Sequence, residues 1–489
     1  MRIMPSLYIT SDQWVFICTF SVCVATIIGL GILSLPVRMY SCGFLPFVVV
    51  FTACGLAQGI KLALTTELLQ RVQYILIRQR QSQRLDEAEQ DMESIHMEEN
   101  ITIYASEGTR ADRSIPDLHN MGVMLLHPAA LALYFLCVHL SYPALITAYA
   151  IGASEVYAAL MGLDYEKLIP FFVIGLGLLV CLLGRKIEPF VVFMTFAKGT
   201  VLVLVILMTS GVGFKLFRAS TMSWSKMGDP FMISTLALAG TTKVQPVLYQ
   251  SLDGTPRQVR IFRNGCLTAL MVCWLLNVLW TFVLLKIVPQ FIEKDLPPLA
   301  TLEGAYKEHQ IGTITLIYFL KERYSSSLGW LGITVNVFIS ISVTVSFVVF
   351  CHGWNHVLDG MSADILQRLS TVPVQRVRAA LAPWVTHPRA HLAAQGVVYF
   401  GCYLFVLIVS TVASKELYKL LEACSGTLST LWTGIFVPAM HLLTIRLLPS
   451  DPNTFVGMPR QWSVTLGYVL VGFSCFAVFY ELYREAVAK

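Results

Sequence analysis

The chain has 489 residues, 56% of them hydrophobic and only 13% charged, with a net charge of +5. A soluble domain carries roughly a quarter charged residues, so this composition excludes an ordinary water-soluble class. So small a positive excess also argues against a nucleic-acid partner.

The charge deficit falls in blocks. Eleven stretches are apolar enough for a spanning helix, which needs about 20 such residues. They lie near 14–40, 43–70, 127–150, 168–184, 189–213, 229–251, 264–289, 328–358, 394–413, 424–447 and 462–483. No series of short alternating segments, as a membrane β-barrel would need, accompanies them. The sequence therefore predicts an all-α, multi-pass integral membrane protein embedded in a lipid bilayer. The first segment is too long for the core of a cleaved signal. The twelve cysteines include no C-x-x-C pair and fall mostly in apolar segments, where they read as small buried hydrophobes.

The predicted organisation places two helices in 1–77 and an acidic, disordered cytosolic insert at 78–120. Helices 3–5 then complete a first repeat over 121–213, helices 6–10 form a second over 229–447, and an extra helix occupies 448–489. The insert packs Asp86, Glu87, Glu89, Asp91, Glu93, Glu98 and Glu99 into a run that cannot bury apolar surface. It is the candidate seat of a regulatory partner, with Tyr104, Ser106 and Ser114 as modification candidates. The loop at 359–393 is basic. Arginines on the inner loops lean toward a cytosolic N-terminus, although the long loop 289–327 carries many cations on the other side. In that orientation the Asn100-Ile101-Thr102 sequon stays unglycosylated. The C-terminal Glu485-Ala486-Val487-Ala488-Lys489 carries no retention or lipidation motif, so the sequence leaves the particular membrane unassigned.

The first segment holds the most informative pattern. Gly29-Leu30-Gly31, followed by Pro36, marks a place where a helix opens and then stops, since glycine costs a helix about 1 kcal/mol and proline about 3. Open backbone at membrane depth survives only where it lines a cavity; there its N–H groups hold a carboxylate and its carbonyls a cation. The sixth segment has a matching polar run, Gly240-Thr241-Thr242-Lys243-Val244-Gln245-Pro246. Interruptions that open each of two halves point to an inverted-repeat transporter with a midplane site.

Lys198 lies nine residues past Pro189, about 14 Å by helical rise and so near mid-depth. A lysine there costs several kcal/mol and is a candidate for a cation whose protonation changes during the cycle. Lys243 either lines the pocket or reaches the cytosolic side. Ser342 and Ser346 share one helix face; their hydroxyls either coordinate a cation against the first helix or join helices. His352 and His356, and likewise His387 and His391, are spaced four apart and raise a metal-dependent enzyme as a rival, but Pro388 interrupts the second pair.

Several motifs resemble the aromatic amino-acid permeases, the tryptophan- and tyrosine-specific group of the amino acid/polyamine/organocation transporters. Ala25-Thr26-Ile27-Ile28-Gly29-Leu30-Gly31-Ile32-Leu33-Ser34-Leu35-Pro36-Val37 is similar to that family's first-helix motif. Ala148-Tyr149-Ala150 with Ala153-Ser154 resembles its helix 3, and Ala197-Lys198 its helix 5. Pro246, Tyr249, Gly254 and Pro256 resemble its helix 6 end. Ser346-Phe347 with Gly353 and Leu358 resembles its helix 8, and Ile435-Phe436-Val437-Pro438-Ala439 its helix 10.

The resemblance implies a leucine-transporter-type fold of five plus five inverted helices, with helices 1 and 6 broken. It implies substrate binding by Ile28, Gly29, Leu30, Gly31, Tyr149, Gly240, Thr241 and Thr242, with the substrate carboxylate on the backbone of 29–31 and the ammonium at the helix 6 break. Coupling falls to Lys198, Ser342 and Ser346. No cofactor is expected: the proton is the coupling ion, and Val345-Ser346 leans against sodium. The expected function is a proton-linked symport permease for neutral or aromatic amino acids, and not an enzyme. A non-transporting amino-acid sensor on the same fold is the alternative.

Overall fold

The computed structural model describes residues 11–95, 116–216, 220–308, 310, 312–324, 329–370, 390–412, 425–448 and 456–487. Among these residues it is helical throughout, without a strand. The broken first segment forms α1 (Ser11–Ile27) and α2 (Leu30–Arg38), followed by α3 (Phe44–Ile95), α4 (Leu118–Leu125) and α5 (Pro128–Met161). Next come α6 (Tyr165–Leu183) and α7 (Glu188–Leu216), then the divided sixth segment, α8 (Gly228–Leu238) and α9 (Gly240–Tyr249). The remainder comprises α10 (Pro256–Ile287), α11 (Leu302–Lys307), α12 (Gly312–Tyr324), α13 (Gly329–Ser370), α14 (Ala390–Val412), α15 (Ser425–Leu447) and α16 (Arg460–Val487). All eleven apolar stretches of the sequence coincide with helices.

Local signals set many of the ends. Asp117 caps α4 by accepting from the Asn120 N–H at 2.6 Å, and Thr255 caps α10 just before Pro256. Helix α5 starts on Pro128 and stops at Gly162, whose left-handed φ of 68° suits glycine. The bundle is tied at both ends. At the end carrying Ser11, Arg257 pairs with Asp12 at 2.9 Å and the Tyr249 hydroxyl donates to Gln73 Oε1 at 2.9 Å. At the opposite end, Gln290 Nε2 donates to the Tyr40 carbonyl at 3.0 Å while its Oε1 accepts from the Thr221 N–H at 2.7 Å. Helix α1 sits in the middle, packed on α10, α7, α9 and α13.

Nine described helices are long and apolar enough to span, ten if the bent pair α1–α2 is one span. The sixth segment falls outside that number because Ala239 divides it into α8 and α9, each too short. Three expectations change. The break of the sixth segment lies at that one residue rather than across Gly240–Pro246, which is helical. Pro246 removes only one hydrogen bond, and the Gln245 amide pins α9 to α3 by donating to the Leu62 carbonyl at 3.1 Å and to Thr66 Oγ1 at 3.2 Å. Nor does Pro36 stop α2, which continues to Arg38 because the Met39 N–H still reaches the Leu35 carbonyl at 3.2 Å. Finally, residues 78–95 of the expected disordered insert prolong α3. That stretch holds no Gly or Pro, is rich in good helix formers, and grows from a helix already nucleated in the span. Residues 116–120 belong to the capped start of α4. Asn100, Tyr104, Ser106, Ser114 and His387 lie outside the described residues.

Helix α4 lies at the end carrying Ser11, outside the spans. Burial pushes the Asp117 carboxyl up to about 6; Asp359 adds in the same direction, and the Asn120 and His119 N–H groups pull against it. An unfolded aspartate titrates near 4. The folded state therefore takes up the proton first, and stability rises as pH falls from about 7 toward 4. Hydrogen exchange of 118–125, corrected for intrinsic rates, should slow from pH 7 to pH 5. Asp117→Asn should flatten that response, and faster exchange at pH 5 in the parent would contradict the assignment.

Candidate functional site

The two interruptions of the chain meet. After Ile27 the backbone leaves the helix for two residues and resumes at Leu30, turning the axis by 42°. Close approach explains the small residues on both sides. A Cβ on Gly31 would lie 2.9 Å from the Ala237 Cβ, and one on Gly240 would lie 2.7 Å from the Thr26 carbonyl oxygen. Thr26 and Thr241 hydroxyls stand 3.5 Å apart across this contact. The Tyr149 hydroxyl lies directly over Gly29, in the space a side chain there would need.

Lys198 on α7 is fully buried and reaches this junction. Its ammonium donates to the Ala25 carbonyl at 3.2 Å, the Ser342 carbonyl at 3.3 Å and the Ser346 hydroxyl at 3.1 Å. Ser346 in turn donates to the Ala25 carbonyl at 2.7 Å, and Ser342 to the Ile28 carbonyl at 3.0 Å. One cation thus joins the last turn of α1 to α13, just before the helix opens. The two serines do two things at once: their hydroxyls link α13 to α1, and each gives an oxygen to the cation, Ser342 its carbonyl and Ser346 its hydroxyl.

A cavity of about 80 Å³ lies beside the break, walled by α1, α2, α5, α8, α9 and α13. Of the sequence-derived substrate residues, Gly31, Tyr149 and Gly240 line it. Ile28 turns away into an apolar groove with Phe20, Val24 and Phe196. Gly29, Thr241 and Thr242 are not part of the lining, and Thr242 is buried; the Leu30 side chain lies outside the described residues. Lys243 belongs to the cavity wall and not to the cytosolic side. Its ammonium lies 5.6 Å from the centroid of the Tyr142 ring, whose hydroxyl donates to the Lys243 carbonyl at 2.7 Å.

A larger cavity of about 480 Å³ lies toward the end carrying Ser11. It is polar, with Asp117, Gln250, His352, Asn355, His356 and Asp359 in its walls. His356 contacts the Gln250 amide. No group of three His, Cys, Asp or Glu side chains placed to hold a metal occurs among the described residues.

Sequence reasoning missed Lys61, whose buried ammonium donates to Thr433 Oγ1 at 3.1 Å. Its signal was present, since it is the single cation within the apolar stretch 43–70. Thr433 lies in a π-helical turn, Trp432–Phe436, a feature that recurs at functional sites. Also missed were Tyr142, stacked on Trp432, and Phe350, packed on Tyr149. Tyr142 and Phe350 are ordinary apolar-segment aromatics in sequence and carry no local mark.

The fold has a solved counterpart. A crystal structure of the Eremococcus coleocola manganese transporter, in complex with an aromatic bis-isothiourea substituted compound, aligns with a TM-score of 0.51 at 13% identity, over 98% of this chain and 88% of that one. The chain has the fold of a helical membrane transporter. A glutamate-to-alanine mutant of that manganese transporter aligns over the same shares with a TM-score of 0.49 at 12% identity. No protein-family model and no curated protein matches the chain. At such identity the likeness concerns the fold and leaves the cargo to be argued from the site.

Proposed function

We propose that this protein is a secondary active transporter of amino acids, coupled to protons and working by alternating access around the broken helices. The observation that carries the reading is the Lys198 ammonium, held by the Ala25 carbonyl and by Ser342 and Ser346 one turn before the break. The transporter fold and the motifs that resemble those of the aromatic amino-acid permeases support it. The five-plus-five inverted repeat belongs to the same proposal.

The chemistry follows from the backbone. The start of α2 presents N–H groups that no side chain caps, and a helix N-terminus favours a carboxylate. Protonated Lys198 bridges α1 and α13. Loss of its proton weakens three hydrogen bonds made by a charged donor, each worth about 1.5–3 kcal/mol, and so frees α1 to move against α13. A membrane potential of 100 mV contributes about 2.3 kcal/mol per charge moved, enough for one proton to support accumulation. The polar cavity of about 480 Å³ shares α9 and α13 with the central site and provides the route to one face.

Purified protein in proteoliposomes, offered a panel of radiolabelled amino acids under imposed pH or sodium gradients, tests the proposal. Uptake of at least one amino acid, accelerated by an inward proton gradient and indifferent to sodium, is the expected result. Binding without flux would instead identify a sensor, and sodium-driven uptake would remove the proton assignment.

A further inference from the structure

We infer that the cargo is acidic: a small amino acid with a second carboxylate, which pairs with Lys243 in the wall of the central cavity. This rests on the transport reading above and names its substrate class. Lys243 is the one charged side chain in the described lining of that cavity, alongside the polar Thr26, Ser34 and Tyr149. It is 2% exposed, and its ammonium has the face of Tyr142 as its neighbour, with no carboxylate or hydrogen-bond acceptor among the described residues. The other two buried lysines differ. Lys198 is held by three oxygens and Lys61 by the Thr433 hydroxyl. A cation withdrawn from water needs an anion or several acceptors, and an aromatic face replaces only part of that.

Most carbonyl oxygens of the break are already engaged by the protein, so they leave the positive ends of the site unbalanced. Ala25 accepts from Lys198 and Ser346, Ile28 from Ser342, Ile27 from the Gly29 N–H, and Cys23 from Thr26. The cavity therefore offers positive ends on two sides: the N-terminus of α2, which reaches it through Gly31, and the Lys243 ammonium. Two carboxylates on a short carbon chain match two such ends.

Ligand-induced thermal stabilisation of the full chain in detergent, together with uptake in proteoliposomes, tests the inference with L-aspartate and its near-isosteric amide L-asparagine. Aspartate should bind at least tenfold more tightly than asparagine. Lys243→Gln should erase or invert that preference, whereas Lys243→Arg, which keeps the charge, should retain it. Asparagine or a neutral amino acid binding as well as aspartate to the parent protein would overturn the inference. So would a preference unchanged in Lys243→Gln. Transport of neutral amino acids without aspartate would defeat this inference and leave the transport reading standing; no binding or uptake of any amino acid would defeat both.

Discussion

Lys198→Ala is expected to abolish proton-driven accumulation, with uptake under a pH gradient falling at least tenfold while the protein still inserts and folds. The lysine supplies three hydrogen bonds from a charged donor, to Ala25, Ser342 and Ser346. Losing even one such bond in the state that carries the proton amounts to about 1.5–3 kcal/mol, and 1.4 kcal/mol already corresponds to a factor of ten. The Ser346 hydroxyl keeps its own bond to Ala25 at 2.7 Å, so α1 remains seated on α13 and the fold survives. Substrate binding at the start of α2 should therefore change less than coupling does. Comparison of equilibrium exchange with gradient-driven uptake separates the two, since exchange needs no net proton movement. Gradient-driven uptake unchanged in Lys198→Ala would remove the lysine from the coupling mechanism without touching the proposal of transport.

The second large effect is on stability. Glu67 and Arg71, one turn apart on α3, form a buried ion pair with Arg71 Nη2 and Nε donating to Glu67 Oε1 at 2.7 and 3.1 Å. The other carboxylate oxygen accepts from Ser463 of α16 at 3.1 Å, and the same hydroxyl lies 2.7 Å from His441 Nε2 on α15. Gln70 extends the network, donating to the Val456 carbonyl at 3.0 Å and accepting from the Val456 N–H at 2.8 Å. Helix α16 is thus fastened to the bundle by polar bonds in a place with little water to replace them. Glu67→Ala takes this carboxylate from Arg71 and should cost about 3–5 kcal/mol, the usual penalty for removing one partner of a buried pair. Thermal unfolding in detergent should show the loss, and Glu67→Ala combined with Arg71→Met should recover part of it. A single variant as stable as the parent would show that the network contributes no net stability.

These effects sit differently with respect to the sequence. The apolar segments, an interruption near Gly29 and the cost of Lys198 at mid-depth are visible in the linear chain. Each depends on a property summed along one helix: hydropathy over about 20 residues, the helix cost of glycine, or distance along the axis from Pro189. The polar run 240–246 misled because composition registers that a helix can open and not where it does. The position is decided by the Gln245 amide bonding to α3, more than 170 residues away in sequence. The acidic stretch misled for a related reason. Charge argues against burial, but a helix grown out of a membrane span needs no burial to persist.

Taken alone, then, the sequence determined that this is a multi-pass helical membrane protein whose first helix opens near Gly29, although the break falls on Ile28 and Gly29 and not on Leu30 and Gly31, and whose fifth apolar segment carries a deep lysine. Only the tertiary structure decided what those features touch. It brought Lys198 to the Ala25 carbonyl and to Ser346, set Gly240 against Thr26, turned Ile28 away from the cavity and Lys243 into its wall, and gathered Glu67, Arg71, His441 and Ser463 into one network. The physical reason is range. A helix and its interruptions follow from neighbours within a turn or two, whereas the partner of a buried polar group is chosen by how segments 144 to 396 residues apart pack, and no local pattern records that choice.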